Sequence, residues 1–471
     1  MHTYSGLFID GAWSLSSGQA TSNVLNPATE EVVGTIPCGN LEDVDRAVKA
    51  ARKAFPGWSR TSASTRGAYI QALVTKLREH SQQMAALITD ELGMPVQWCQ
   101  SIQVEGPISG LESYIALAES MEHVSQVGNA QVYREAIGVC AFINPWNYPL
   151  HQLIGKLAPA LAAGCTVVVK PSQETPLHAF FLAELLESIG LPAGVFNLVS
   201  GPGALIGEAM ARHPDVDMLS FTGSTGAGIN VSQSAATTVK RVCLELGGKS
   251  PLLIAPSANL ERAVRHGVND IMINSGQTCT ALSRMLIPAE RYAEALDIAM
   301  DEVSGMRLGD PQDPQTFLGP MCSARQLRTV REYIEAGQAE GARLLTDADA
   351  GQRFDRGYYQ SPVLFADVNN RMRIAQEEIF GPVLCMIPYQ GIEDGIAQAN
   401  DSPFGLSSAV WAGSSTEAIT LGRQIRAGQC FLNGADFNYQ APFGGYKESG
   451  NGREWGEHGL TEFVEIKALM S

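Results

Sequence analysis

Charge is scarce in this chain of 471 residues. Asp, Glu, Lys and Arg make up 17%, and 33 basic against 49 acidic side chains leave a net charge of −16 with His neutral. A surface this acidic repels nucleic-acid phosphates and anionic lipid, so neither is an expected partner, although a local basic groove for one phosphorylated cofactor is compatible with the count. Long hydrophobic runs are also missing. The most apolar stretch, Leu157–Val169, lies between Lys156 and Lys170; it falls short of the ~20 residues that span a bilayer and reads as buried core. The nine cysteines are thinly spread, odd in number and without a CxxC, and no Cys/His cluster has zinc spacing. That excludes a disulfide scaffold and a zinc motif, leaving reduced and mostly buried thiols and no expected metal. Met1–Gly6 has no basic segment followed by an apolar run, so no signal peptide and a cytoplasmic protein are expected. On that expectation Asn230-Val231-Ser232 is a chance match to a glycosylation acceptor.

What the chain has is core. Hydrophobic residues make up 45%, with 47 Gly and 24 Pro, a mixture foreign to disordered, collagenous or coiled-coil chains. Single cores stop growing near ~250–300 residues, so two or three domains are expected. No repeat or low-complexity segment is visible. Helical patterns alternate with short β-branched runs, the signature of an α/β protein with a largely parallel sheet.

Asn40 is placed to cap a helix reaching about Phe55, with Glu42, Asp43 and Asp45 in its first turn. Ala63–Leu92 carries apolar residues at three- and four-residue spacing and predicts one helix stopped by Gly93. In the middle third, strands are predicted at Cys140–Ile143, Thr166–Val169, Val195–Val199 and Met218–Phe221. Helices are predicted at Leu150–Leu161, tolerating Pro159, and at Leu177–Ile189 and Pro202–Ala211. This is repeated βαβ, which places ligands at the carboxyl ends of strands.

Two glycine-rich turns, Gly201-Pro202-Gly203 and Gly223-Ser224-Thr225-Gly226-Ala227-Gly228, lead into helices without a clean GxGxxG. The second follows a strand directly, so backbone N–H groups there could meet a pyrophosphate. Gly247-Gly248-Lys249-Ser250 mimics the end of a P-loop, but the required earlier glycine is Cys243 and the reading fails.

Three residues carry chemistry. Cys279 lies among small polar residues in Asn274-Ser275-Gly276-Gln277-Thr278-Cys279-Thr280, where a thiol is reachable, unlike Cys165 ahead of a valine run. A cysteine nucleophile needs thiolate character, an oxyanion donor and a base. Glu245, in Leu244–Lys249, is a carboxylate in an apolar turn whose burial would raise its pKa and suit it to general-base work. Asn147 sits in a turn pinned by Pro145 and Pro149, a rigid place for an amide donor. Singly, each has a plain alternative as packing, solvation or turn-making.

Together they are specific. Phe142–Pro149, Lys170-Pro171-Ser172, Phe221–Thr225, Glu245–Ser250, Gly276–Cys279, Glu377–Pro382 and Pro442–Lys447 occur in one order. In that order the chain resembles the aldehyde dehydrogenase superfamily, over nearly its whole length from Leu7–Gly11 and Asn26–Thr29 to Gly452-Arg453-Glu454. The resemblance implies Cys279 as nucleophile, Glu245 as general base, and an oxyanion hole from Asn147 and the Cys279 N–H. The thiolate would attack an aldehyde, hydride would pass to a nicotinamide, and Glu245 would activate water to release the acid. Lys156 and Glu454 match positions on the water side of the site. Family members that acylate coenzyme A generally lack this base, so hydrolytic oxidation is expected.

By the same resemblance Lys170 holds the adenosine ribose, with Ser172 and Gln173 beside it, and Ser224 lies near the pyrophosphate. Ile143, Pro145 and Trp146 line the cofactor path from one turn, and Gly203, Gly207, Phe221 and Gly223 from the next two. Leu246 and Gly247 follow Glu245 along it. Glu378 grips the nicotinamide ribose with Phe380 packed beside it. NAD-preferring members usually carry Glu where Gln173 stands; Glu174 is one place late. NAD is the expected cofactor, with NADP left open. Tyr148, Thr278, Thr280 and Phe437 fall around the aldehyde channel, suggesting an apolar or aromatic aldehyde, and no arginine among them would bind a substrate carboxylate.

The implied architecture is α/β: a Rossmann-like parallel-sheet cofactor domain (1–115 and 137–247), an α/β catalytic domain (248–449) and a small β oligomerisation arm (116–136 and 450–471). The alternating residues Glu462–Lys467 form an exposed strand that needs a partner, so a homodimer or homotetramer is expected. Competing readings are a coenzyme A-acylating or phosphorylating dehydrogenase, a catalytically silent binding relative and a thiol esterase.

Overall fold

A computed structural model describes every residue from Met1 to Ser471, and the chain is α/β with two large sheets. The first has eight strands in the order Gly450–Asn451, Arg241–Glu245, Met218–Thr222, Val139–Ile143, Thr166–Lys170, Phe196–Leu198, Leu7–Ile9 and Ala12–Ser14. The five from Arg241–Glu245 to Phe196–Leu198 run parallel. The middle three of these are buried at every residue, which is why they read as unbroken apolar runs. Register brings their carboxyl ends level: Ile143 stands opposite both Phe221 and Lys170, and Thr222 opposite Glu245. The motif turns leave from that edge and are delivered to one side of the sheet.

The second sheet has seven strands, Arg343–Leu344, Val363–Ala366, Val383–Tyr389, Arg284–Pro288, Pro251–Ile254, Ala409–Trp411 and Phe431–Leu432, parallel from the second onward. Arg284–Pro288 and Val383–Tyr389 are neighbours. The loops leading into them carry Cys279 and Glu378, which therefore lie on one face of the cleft.

A three-stranded antiparallel sheet joins Ser125–Val127, Ala130–Ala136 and Val464–Met470. Of the tail only Val464–Met470 lies in it. Gly450–Asn451 joins the first sheet instead, and Trp455, Leu460 and Phe463 are buried in the first core. Ile466, Leu469 and Met470 are exposed on the outer strand. No helix is long and apolar enough to cross a membrane.

Asn40 caps Leu41–Trp58 with a full capping box through Asp43. The helix expected at 63–92 is two, Ala63–Glu79 and Ser81–Leu92. His80 leaves helical geometry (φ −111°, ψ 16°), and its ring packs edge-on against Phe181 at 5.7 Å. The apolar spacing continues across the break, so only the tertiary contact reveals it. The helix expected at 202–211 begins as a π-turn, Gly203–Gly207, and becomes α-helical at Glu208–Arg212. Pro159 sits inside Pro149–Ala163 without ending it. All nine cysteines are free, six of them buried.

Candidate active site

The turn after Val139–Ile143 is tied to the next strand by the Asn144 N–H, which donates to the Lys170 carbonyl at 3.0 Å. Pro149 then starts the following helix, at the one place where its missing N–H costs nothing. Between them Asn147 is buried and held from both ends. Its carbonyl accepts from Gln103 Nε2 (3.1 Å) and Asn274 Nδ2 (3.0 Å), and its own Nδ2 donates to the Gln277 carbonyl (3.0 Å). An amide nitrogen carries two protons, so one remains for a ligand.

Cys279 reaches the same place from a strained loop. Asn274 (φ 52°), Ser275 (φ 53°) and Gly276 (φ 71°) are consecutively left-handed, a conformation that costs non-glycine residues energy and clusters at functional sites. A Cβ on Gly276 would lie 2.0 Å from the Gly381 carbonyl oxygen, so that position requires glycine. Hydrogen bonds overdetermine the loop: Ser275 Oγ donates to Gly319 O, Gln277 Nε2 to Asn274 O, and the Cys322 N–H to Gln277 Oε1.

The partly exposed Cys279 stands in the wall of two cavities. Burial pushes its thiol up to about 12, and Glu378, Glu245 and Glu454 add to the shift. The protein's own groups thus oppose the thiolate character expected of a nucleophile.

Glu245 ends its strand and is buried, with Oε2 unpartnered. A Cβ on Gly444 (φ +149°) would lie 2.8 Å from its Oε1, so glycine there makes room for the carboxylate. Burial pushes Glu245 well above the ordinary carboxylate range, Glu454 adds to this, and Lys156 and Arg453 oppose it. Lys156 Nζ lies 2.7 Å from Glu454 Oε1 and donates to Thr222 Oγ1 at 2.7 Å, all within the core. Glu245 itself lines neither cavity, although the next two residues, Leu246 and Gly247, line the smaller one.

One cavity, about 280 Å³, gathers Pro145, Trp146, Asn147, Gly223, Ser224, Leu246, Gly247, Glu378 and Phe380, as expected from sequence, and adds Thr222, Arg325, Gln326 and Thr329. Phe380 meets Trp146 edge-on at 5.3 Å. Glu378 Oε1 accepts from the Gly248 N–H at 3.0 Å, and burial pushes its carboxyl up to about 7. A Cβ on Gly247 would lie 2.2 Å from that carboxylate. Ser224 caps the helix Thr225–Ala235.

The other expected cofactor residues lie outside this cavity, further along the strand edge. Lys170 is buried, donates to the Pro171 carbonyl at 2.9 Å, and is lowered to about 8 by burial; two of its three protons are uncommitted. Gly207 packs on Ile143, whose side chain lies with Phe221 in the core beneath the turn. Gly203 has open space above it. Ser172 Oγ accepts from the Glu174 N–H at 3.2 Å, Gln173 is half-buried, and Glu174 is exposed. Burial raises the Glu174 carboxyl and Arg325 opposes the shift, whereas Lys170 responds to burial alone.

The second cavity, about 450 Å³, brings together Tyr148, Thr278, Thr280 and Phe437 as expected. Tyr148 Oη and Thr278 Oγ1 are 2.7 Å apart. The aromatic wall continues through Tyr439, 4.8 Å from Phe437, and through His151, 5.5 Å from Tyr439 and 5.0 Å from Trp455. Burial, with help from Lys156, drives His151 down to about 3, so it is neutral. Ser101 and Ile102 enter from a π-helix, Cys99–Glu105, and Asp270 and Asp436 from opposite sides. The amides Asn274 and Gln277 lie in the motif around Cys279, but their type and spacing alone give them no role; Gln103, His151, Asp270 and Tyr439 carry no local signal.

The aldehyde dehydrogenase family model matches residues 13–469. A 3-succinoylsemialdehyde-pyridine dehydrogenase of a Pseudomonas species is 46% identical over all of this chain and 99% of its own. A solved cysteine-to-alanine variant of aldehyde dehydrogenase C of Pseudomonas syringae, in complex with NAD+ and octanal, superimposes with a TM-score of 0.96 at 44% identity, covering 99% of this chain and 96% of its own. A Mycobacterium tuberculosis aldehyde dehydrogenase in complex with NAD+ gives 0.97 at 39% identity, covering 100% and 98%. With its motifs gathered at one cleft and its full length matched, this chain belongs to the aldehyde dehydrogenase family and is an oxidoreductase that acts on aldehydes.

Proposed function

We propose that the protein oxidises an apolar or aromatic aldehyde to its carboxylic acid with NAD, through a thioester on Cys279. The observation that carries this is the position of the Cys279 thiol, in the one wall shared by an aromatic-lined cavity and a cavity lined by a helix N-terminus and Glu378. The smaller cavity, with Ser224 and Glu378 in its wall, suits a dinucleotide: Ser224 and the Thr225–Ala235 N-terminus receive phosphate, Glu378 accepts from ribose hydroxyls, and the uncommitted Lys170 protons lie further along the edge.

The Cys279 thiol releases its proton to solvent at its partly exposed wall, and the sulfur bonds the carbonyl carbon. The oxygen becomes an oxyanion and accepts from the free Asn147 Nδ2 proton and the Cys279 N–H. Such donors typically contribute ~10²–10³ in rate, and here Gln103, Asn274 and Gln277 fix Asn147 beforehand. The chemistry supplied by the cofactor, when bound, is acceptance of the hydride that leaves this carbon. Glu245 turns toward the resulting thioester and takes a proton from the attacking water; Lys156 and Glu454 hold the polar end of that path. Retention of Glu245 favours hydrolysis over transfer to coenzyme A.

The test is absorbance of reduced nicotinamide with a panel of aldehydes and either NAD or NADP, without coenzyme A. Formation of acid in equal amount is expected. No signal with any pair would overturn the proposal, and a requirement for coenzyme A would move the enzyme to the acylating type.

NAD is favoured as the cofactor, but no carboxylate acts on Lys170, and Gln173 does not repel a 2′-phosphate. Gln173→Glu should raise discrimination against NADP about tenfold, ~1.4 kcal/mol, read as the ratio of kcat/KM for the two cofactors. An unchanged ratio would sink this assignment. The residues 1–115 and 137–247 are proposed as the cofactor domain and 248–449 as the catalytic one. The apolar side chains on Val464–Met470, a strand with one free edge, support an arm that completes a homodimer or homotetramer. A cytoplasmic location accords with nine free cysteines.

A further inference from the structure

The aldehyde cavity is unusual in its charges. Among its twenty lining residues the acidic side chains are Asp270 and Asp436, and there is no lysine or arginine. Its two histidines do not balance them: His151 is neutral for the reason given above, and burial also lowers His266, with Asp436 opposing.

Asp270 is the deeper of the two acids. It lies on the helix Leu260–Met272 and is half-buried, whereas Asp436 is exposed. Asp270 Oδ2 accepts from the Leu282 N–H at 2.8 Å, and its other oxygen has no partner in the protein. Leu282 is three residues beyond Cys279, a stretch of at most ~11 Å, folded back further by the Ala281 N–H donating to the Thr278 carbonyl (3.1 Å). A tail extending from a carbonyl held at Cys279 therefore passes within reach of this carboxylate. The groups that face Asp270 around the cavity are His266 on its own helix, Tyr148, His151, Cys279, Asp436 and Tyr439, none of them a cation.

We infer that Asp270 is a specificity-determining residue, and that the aldehydes this site prefers carry a positive charge or a hydrogen-bond donor on the tail, received by the Asp270 oxygen that lacks a partner. The inference rests on the aldehyde-oxidising reading above and revises its substrate: the aromatic wall packs the apolar length of the tail, and Asp270 meets a polar group upon it. A carboxylate-terminated semialdehyde meets two negative charges and no cation, so rejection of the wrong tail is built in as well as acceptance of the right one. Burial pushes the Asp270 carboxyl up to about 6, opposed by the Leu282 N–H. The charge is therefore present above that pH and fades below it.

The experiment compares kcat/KM for hexanal, 6-trimethylammoniohexanal and 6-oxohexanoate in wild type, Asp270→Asn, Asp270→Glu and Asp436→Asn. Asparagine keeps an oxygen to accept the Leu282 N–H and removes only the charge. The ratio of cationic to anionic substrate is expected to exceed one in wild type, to fall about tenfold in Asp270→Asn, the size of one charge acting across a partly wet cavity, and to be retained in Asp270→Glu. In wild type it should shrink as pH falls through about 6. Measurable oxidation of hexanal, of whatever size, certifies a folded site in each variant. An unchanged ratio in Asp270→Asn, or a collapse confined to Asp436→Asn, overturns the inference while leaving the function standing. Failure of all three aldehydes in wild type strikes the function instead.

Discussion

Cys279→Ala should lower aldehyde-dependent reduction of NAD by at least ~10⁴-fold, the scale on which enzymes lose a covalent nucleophile. No other thiol can substitute. Cys279 is the only cysteine lining either cavity, and six of the other eight are buried. The variant removes one atom from a partly exposed wall, so the fold and cofactor binding should survive, and NAD should still raise the melting temperature, with the logarithm of its concentration above Kd. Retention of more than about 1% of wild-type turnover would show that sulfur is not the nucleophile. The electrostatics add a second readout. A thiol pushed up to about 12 has roughly 10³-fold less thiolate at pH 8 than an ordinary one near 8.5. Iodoacetamide should alkylate Cys279 in the cofactor-free protein correspondingly slowly, and faster as pH rises. Rapid alkylation at neutral pH would mean that burial and the three carboxylates do not hold the thiol protonated.

The site was legible in sequence wherever chemistry dictates residue type. Cys279, Asn147 and the Glu378 turn belong to short motifs whose side chains act where the backbone puts them, and parallel strands with level carboxyl ends bring those turns to one cleft. The parts that stayed hidden are made by long-range packing. Nothing near His80 announces a helix break; the ring that packs on it there, Phe181, is a hundred residues on. Gln103 supports Asn147 only because a π-turn over Cys99–Glu105 changes which way the side chain points. Asn274 and Ser275 are left-handed although neither is glycine, held there by partners at Asn147 and Gly319. The aldehyde cavity is assembled from segments near 101, 148, 270, 279 and 437, so its charge balance, unlike the nucleophile, cannot be read from any one stretch. Glu245 falls between these cases. Its proposed role follows from its motif, but its separation from both cavities and the pull of the Lys156 and Glu454 charges on it are facts of packing.

That separation shapes the second large effect. Glu245→Gln should lower steady-state turnover by ~10²–10⁴, the usual contribution of a general base, while the first turnover still releases close to one equivalent of reduced nicotinamide per site. The burst is expected because, on the proposed mechanism, Glu245 acts on the water that cleaves the thioester, and glutamine fills the same space without accepting that proton. Rapid mixing separates the two phases; loss of the burst together with the steady state would place Glu245 in thioester formation instead. In wild type the ionised carboxylate does the work, and its pKa lies well above the ordinary range. Thioester hydrolysis should therefore rise with pH along a limb displaced upward from ~4.3, and the variant should lack that limb. Stability should move the opposite way. Below the unfolded value of ~4.3 the carboxyl is neutral in both states; above it the native protein retains a proton that the unfolded chain releases, and stability falls as pH rises toward the folded pKa. Glutamine removes that penalty, so Glu245→Gln should melt above wild type at neutral pH and equal it near pH 4. An unchanged or lower melting temperature at neutral pH would show that the carboxylate is not held against its own ionisation.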